Sequence, residues 1–462
     1  MVEPRTIINS RAPEAESLQV SAKDLQLTCS GPAVLAGGST GTSVTNFKRF
    51  GSANVATTYS GASQTTLVGF GGQRIIGYGI RQDISGRISS SSSAKVQDKT
   101  GKTEQGSVLL SANQTQLADD KSIKGLLAAP CIRPQSEFWL VGGSTSVGRE
   151  ALLILTNPSA VDATVDLSIY TENGASHSAG LSGISVRKNS TTVLPMSSFV
   201  LRAQSLAVHL KSFGGSITAV MQQKAIRGIK ASGADYISPN DVFEKESFFP
   251  GILVRGALDS AKFRKKSAKY SDVQNMLRVF VPGEKDANLT FQVIGTDEQT
   301  FGTAISVKAE AGKVTDFEVT GLRNGDYFGI LNSDVPVKSS FRLVRAKSSS
   351  AGFVDFAWIN SASAFDSTRF IAVPDSGVSK LSIVNPGTKQ ITVVLRIGAA
   401  KVKRTVAAAS AEVIALAKGL GVGISPSAYV YANLVIDNQG RVATLPVVDE
   451  KNISGQVTVS IH

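Results

Sequence analysis

Two distant stretches of this chain carry the same pattern. In residues 138–170 (FWLVGGSTSVGREALLILTNPSAVDATVDLSIY), Leu153 and Leu155 precede Asn157-Pro158, and Val165, Leu167 and Ile169 follow, alternating with smaller or polar residues. Residues 370–397 (FIAVPDSGVSKLSIVNPGTKQITVVLRI) repeat the order with Leu381, Ile383, Asn385-Pro386, Ile391, Val393, Leu395 and Ile397. Period-two alternation belongs to a strand with one buried face. Proline removes a ladder donor and asparagine closes an Asx turn, so each Asn-Pro pair marks a corner between strands. A repeat of this kind restricts the chain to an array of similar β modules.

Later landmarks recur at near-equal distances. Gly214-Gly215 begins 57 positions after Asn157, and Gly440 lies 55 positions after Asn385. Each joins two alternating apolar runs, 206–210 with 217–221 and 429–436 with 442–445, and predicts a hairpin. A degenerate middle copy starts at Leu277 (LRVFVPG) and continues through Leu289, Phe291, Val293 and Ile294 without an Asn-Pro corner. Its Val281-Pro282 pairs in this reading with Val373-Pro374, 92 positions on. Residues 405–424 are Ala-rich and would be helical on propensity alone. Their counterpart, 184–196, alternates as strands do, so the repeat predicts β here.

Residues 22–136 are rich in Gly, Ser and Thr, with turns at Gly37-Gly38 and Gly71-Gly72, alternation near 66–68, 75–80 and 108–110, and an expected loop over 89–106. With 462 residues and 42% hydrophobic content, the chain can supply several cores. The expected fold is all-β: a tandem array of three to four immunoglobulin/fibronectin-like β-sandwich units. The divisions read as a disordered segment 1–21, a Gly/Ser-rich β domain 22–136, sandwiches at 137–250 and 361–462, and a degenerate sandwich at 251–360.

Catalytic chemistry has little material. The three histidines, His177, His209 and His462, leave little material for a metal site or a histidine general base, and no metal or cofactor is expected. Gly37-Gly38-Ser39-Thr40-Gly41 fits a nucleophile-elbow spacing but lacks the following helix, and a serine hydrolase is the second alternative. Gly101-Lys102-Thr103 resembles the end of a phosphate loop without its first glycine. His209 reads as a strand residue facing outward or hydrogen-bonded. Asp119-Asp120 sits in a polar loop.

Acidic-aromatic pairs close two units: Asp235-Tyr236, and Asp355-Phe356 with Trp358. They read either as a sugar platform or as interdomain plugs in which the ring packs on a neighbour and the aspartate fixes a turn. Lys262, Arg264, Lys265, Lys266 and Lys269 form the strongest local charge feature of a chain with net charge +12. They read either as a solvated loop or as a grip on an anionic polymer or lipid headgroup. Nucleic acid is not expected, because no binding fold accompanies the cluster.

Cys29 and Cys131 are the only cysteines and lie 102 positions apart, too far for a zinc knuckle or redox motif. They form either a structural disulfide or two unrelated buried thiols. Residues 1–21 contain no apolar segment of signal or spanning length. The expectation is that a signal or anchor lies upstream of Met1.

Cys29-Ser30-Gly31-Pro32, Cys131 followed by Phe138-Trp139-Leu140-Val141-Gly142-Gly143, and Leu155-Thr156-Asn157-Pro158 resemble an uncharacterised actinobacterial family described only as a domain of unknown function. The resemblance runs from about Cys29 to Pro446. It implies a secreted or membrane-anchored envelope protein, with a transmembrane segment ahead of the first cysteine, and favours the disulfide. It assigns no catalytic residues. The expected function is therefore a non-catalytic extracytoplasmic scaffold or interaction module for an anionic cell-wall polymer or an envelope protein, with a membrane tie only through such an anchor. A lectin-like glycan-binding module is the alternative. Trp139, Asn157, Pro158, Asp355, Trp358, Asn385 and Pro386 are the repeat's structural markers.

Overall fold

The computed structural model describes residues 16–19, 25–36, 47–59, 64–69, 74–77, 84–97, 110–240, 243–297, 302–348, 352–448 and 456–459. The fold is all-β, as the repeat predicts, and strands pair antiparallel throughout its sheets. Four sandwich units follow one another, each with an outer and an inner set of strands in the same order; the second unit's outer sheet gains a fifth strand, Ile184–Val186, and the third unit's two sets form one seven-stranded sheet.

In the second unit the outer sheet runs Glu137–Val141, Leu206–Gly214, Ala163–Thr171, Gly174–Ala175. The inner sheet runs Ser190–Pro195, Arg149–Asn157, Thr218–Arg227, Lys230–Ile237. The fourth unit repeats this with outer strands Arg369–Ala372, Gly421–Pro426, Ile391–Ile397, Ala400–Val406 and inner strands Ser410–Leu416, Val378–Asn385, Tyr431–Asn438, Arg441–Pro446. Alternation does the sorting: Val165, Leu167 and Ile169 face the second unit's core, and Ile391, Val393 and Leu395 face the fourth's. The Ala-rich stretch is β, because its apolar residues Val406, Ile414 and Leu416 have a sheet to cover.

The region 22–136 is a fourth copy. Its inner sheet runs Ile84–Ile88, Ala53–Tyr59, Leu110–Asp119, Lys124–Pro130, and its outer sheet Leu25–Cys29, Ser92–Gln97, Gln64–Gly69, Arg74–Gly77. Ser92–Gln97 lies inside the expected loop 89–106 and is a paired strand instead. Glu16–Gln19, within the segment expected to be disordered, pairs with Gln456–Val459.

In the third unit one 23-residue strand, Gly325–Lys347, serves both sheets. Its first part pairs with Glu244–Val254 and Ala287–Gly295, and its last part with Met276–Phe280 and Phe353–Asn360. This strand explains two corrections. Gly214-Gly215 is no hairpin: it is the step from outer to inner sheet that the third unit makes without a break, and the second unit's hairpin lies between Arg227 and Lys230. Met276–Phe280 holds the place of Arg149–Asn157 and Val378–Asn385, so Pro282 corresponds to Pro158 and Pro386 and not to Pro374. The expected boundary at 250/251 also falls within a strand, Glu244–Val254, that belongs wholly to the third unit.

The last inner strands of the four units, β1 (Lys124–Pro130), β2 (Lys230–Ile237), β3 (Phe353–Asn360) and β4 (Arg441–Pro446), stand around a common axis. β1 touches β2, β2 touches β3, β3 touches β4, and β4 returns to β1. The array is thus a closed ring and not an open string. At Gly125 of β1 an added Cβ would lie 2.4 Å from the Ala234 nitrogen of β2 and 2.9 Å from Asp355 Oδ1 of β3, so only glycine permits this approach.

Candidate functional site

The ring places four sheet edges in the interior. Buried edge N–H groups need acceptors, and two aspartates supply them. Asp355 of β3 is 1% exposed. Its Oδ2 accepts the N–H groups of Leu126 on β1 (3.1 Å) and Val442 on β4 (3.3 Å), and its Oδ1 accepts that of Ala234 on β2 (3.3 Å). One side chain therefore touches all three neighbouring units. Asp235 of β2 accepts the Trp358 N–H of β3 at 2.8 Å. Burial pushes the Asp355 carboxyl up to about 7 against the pull of these N–H groups. Burial also raises Asp235 well above the usual range, with Asp355 adding repulsion. Neither aspartate fixes a turn; both lie within strands and hold neighbours.

The aromatic residues sit at the same junctions. Trp358 is buried in the ring, with the Arg278 guanidinium 4.9 Å from its ring centre and its carbonyl accepting the Thr444 hydroxyl at 2.8 Å. Trp139 is half-buried, stacked on His209 (4.2 Å) and packed against Phe280 of the third unit (5.3 Å). Neither ring is presented as an exposed platform. Tyr236 is buried and donates its hydroxyl hydrogen bond to the Gly31 carbonyl of the first unit at 3.2 Å.

Charge is concentrated where the second and third units meet. Arg278, 1% exposed, donates to Asp316 at 2.6 and 2.7 Å and to the Gln204 carbonyl at 3.1 Å, and also to the Gly143 carbonyl. Asp272 pairs with Arg149 and Arg227 of the second unit. Burial alone would raise its carboxyl, but the Arg227 hydrogen bond and the charges of Arg342, Arg227 and Arg149 hold it well below the usual range. These pairs complete one another across the junction.

The corner asparagines share one geometry. Asn157 Nδ2 donates to the Val161 and Val186 carbonyls at 2.9 Å, and its Oδ1 accepts the Ser159 N–H at 3.0 Å. Asn385 Nδ2 donates to Lys389 and Ala407 at 2.8 Å and Val406 at 3.2 Å, and its Oδ1 accepts the Gly387 N–H at 3.0 Å. Pro158 and Pro386 follow at the sheet-to-sheet corner. Asn385→Ala strands the buried Val406 carbonyl and removes the donor of the part-buried Lys389 and Ala407 carbonyls, and is expected to cost about 2 kcal/mol in chemical denaturation; a loss below about 0.5 kcal/mol would mean that solvent replaces these bonds.

Cys29 and Cys131 form a disulfide, both fully buried. It lies among Leu27, Val55, Tyr59, Leu110 and Ala112, so it staples the first unit to itself and does not tie it to the second. A disulfide is compatible with an extracytoplasmic location. No helix among the described residues is long and apolar enough to cross a membrane.

His177 is exposed, and His209 meets Glu137 at 2.6 Å. Asp119 pairs with Lys124 and Arg441, and Asp120 caps the Ser122 N–H. Ser39, Gly101-Lys102-Thr103 and His462 lie outside the described residues.

The basic cluster is not a loop. Lys262, Arg264, Lys265 and Lys266 belong to α1, Ala257–Lys266, and Lys269 to a 3-10 turn after it. Gly256, with φ +73°, turns the chain into α1, where a Cβ would meet the Ala346 carbonyl oxygen at 2.1 Å. Phe263 anchors the helix beside Tyr270 at 4.8 Å. Basic residues in the last turn also suit the helix dipole. Lys262 meets Asp259 at 3.5 Å and Arg264 meets Glu318 at 4.0 Å. Lys265 and Lys266 are exposed and form no ion pair among the described residues. A second basic stretch went unnoticed in the sequence: Lys401, Lys403 and Arg404 are exposed on the edge strand Ala400–Val406, where charge blocks edge pairing.

A family model described as a family of unknown function (DUF5719) matches residues 85–418, which takes in part of the first unit, the second and third, and most of the fourth. A comparison with curated proteins found no match.

Proposed function

The chain belongs to this family of unknown function, and from that premise we propose that it is a non-catalytic, extracytoplasmic protein of the cell envelope that scaffolds or binds a wall component. The observation that carries this reading is the exposed basic end of α1, where Lys265 and Lys266 have no ion pair among the described residues, while Arg149, Arg227, Arg278, Asp235 and Trp358 are spent where units join. The buried disulfide supports an oxidising compartment. The actinobacterial envelope implied by the sequence resemblance supplies an anionic polymer as the partner, and Lys265 and Lys266 supply unpaired positive charge for it.

Binding of the full chain to a purified anionic wall polymer, with polyphosphate as a reference polyanion, tests this. Lys265→Glu with Lys266→Glu is expected to weaken binding at least tenfold at low salt, and wild-type binding to fall as salt screens the contact. Equal affinity of variant and wild type, or salt-independent binding, would remove the basic end of α1 from the function.

A further inference from the structure

Beside α1 the third unit keeps a cleft of about 720 Å³, bounded by the helix, by residues 319–324 and by residues 273–275. Its size lies within the range of small-molecule sites. The helix leaves this space open because of what it turns inward. Ala257, Leu258, Ser260, Ala261 and Arg264 line the cleft, while the one buried anchor of the helix, Phe263, packs elsewhere against Tyr270. The two alanines and Ser260 are too short to fill the gap and Leu258 stays largely exposed, while the buried Val273, Val319, Leu322 and Val344 form an apolar floor.

The polar lining is uneven. Arg255 is spent: it pairs with Asp326 and donates to the Val254 and Gly325 carbonyls at 2.8 and 2.9 Å. Arg323 is exposed, and its guanidinium makes no hydrogen bond or ion pair among the described residues. Arg264 has only Glu318, at 4.0 Å. The amide oxygen of Gln274 is buried in the same wall and meets no donor. An apolar lining, two weakly engaged guanidiniums and an unmet acceptor together specify an occupant.

We propose that this cleft binds a single-chain phosphate amphiphile, its phosphate held by Arg264 and Arg323, a head-group hydroxyl donating to Gln274, and its chain laid on Leu258, Ala261 and Leu322. Guanidinium forks match phosphate oxygens, which favours a phosphate head over a neutral one. The cleft is distinct from the outward face carrying Lys265 and Lys266, so this proposal and the wall-polymer reading fail separately.

Calorimetric titration of the full chain with decyl phosphate below its micelle concentration tests it. One molecule is expected to bind per chain. Arg323→Glu is expected to weaken binding at least tenfold, and Ala261→Leu, which fills the cleft, to abolish it. Both variants should keep the wild-type unfolding midpoint. Lys265→Glu with Lys266→Glu should leave decyl phosphate binding unchanged. Absence of binding, or binding that neither cleft variant alters, overturns the proposal. Inorganic phosphate binding as tightly as decyl phosphate overturns the role of the chain. Decanoate or decyltrimethylammonium binding equally well overturns the phosphate assignment.

Discussion

Asp355→Ala is expected to destabilise the protein by on the order of 4 kcal/mol at pH 5, because it leaves N–H groups of three other units without their acceptor inside the ring. The loss has a pH signature. Burial holds the folded carboxyl near 7, above its ordinary value of 3.8. A raised acid binds its proton more tightly in the folded state, so its contribution is full below about pH 4 and is lost as pH rises through 7. The change runs at about 1.4 kcal/mol per pH unit between the two values. Urea denaturation of wild type and variant should therefore show a gap that is widest near pH 4–5 and narrows by a few kcal/mol at pH 8. Asp272 shifts in the opposite direction and is the same in both chains, whereas Asp235 shifts in the same direction and in the variant is freed of the repulsion from Asp355. A gap that stays constant from pH 5 to 8 would mean that Asp355 is ionised throughout and that its hydrogen bonds outweigh burial.

The second large effect is expected at the disulfide. Cys29 and Cys131 close 102 positions of chain, for which the chain-entropy account gives about 4–5 kcal/mol. Replacing both by alanine should lower stability by about 3–5 kcal/mol, and the first tryptic cuts should fall within residues 25–136. That unit needs the covalent tie more than the others, because much of its central inner strand, Leu110–Asp119, is polar: Asn113, Gln114, Thr115 and Gln116 are all buried. Cleavage starting in the third or fourth unit, or an unchanged midpoint, would show that the staple is dispensable once the ring has formed.

The same strand explains why the first unit was the least legible from sequence. Gln114 and Gln116 face inward to hold backbone, accepting the Gly31 and Ala33 N–H groups at 2.9 and 2.8 Å, so hydrophobic alternation is absent where burial is complete. The second and fourth units were legible because their corners depend on one asparagine whose bonds are mostly to nearby backbone. The third kept its alternation after losing that residue. Ring closure had no local signature: Gly125 is one glycine among 43, and its reason is a backbone in another unit. The aspartates were noticed, but their partners on other units lie 87 to 229 positions away. Helix α1 was missed because ALDSAKFRKK buries only Phe263 and carries no apolar stripe.

The pairing of Glu16–Gln19 with Gln456–Val459 has a mechanical meaning. Glu16 stands opposite Val459, so the outermost residues of the two strands face each other. Tension applied through the flanking chain would peel this pair one rung at a time, the weakest loading a β ladder can meet, before any load reached the fourfold axis. Under pull the terminal strands would act as a clasp that yields at low force, and the ring behind them as the part that resists.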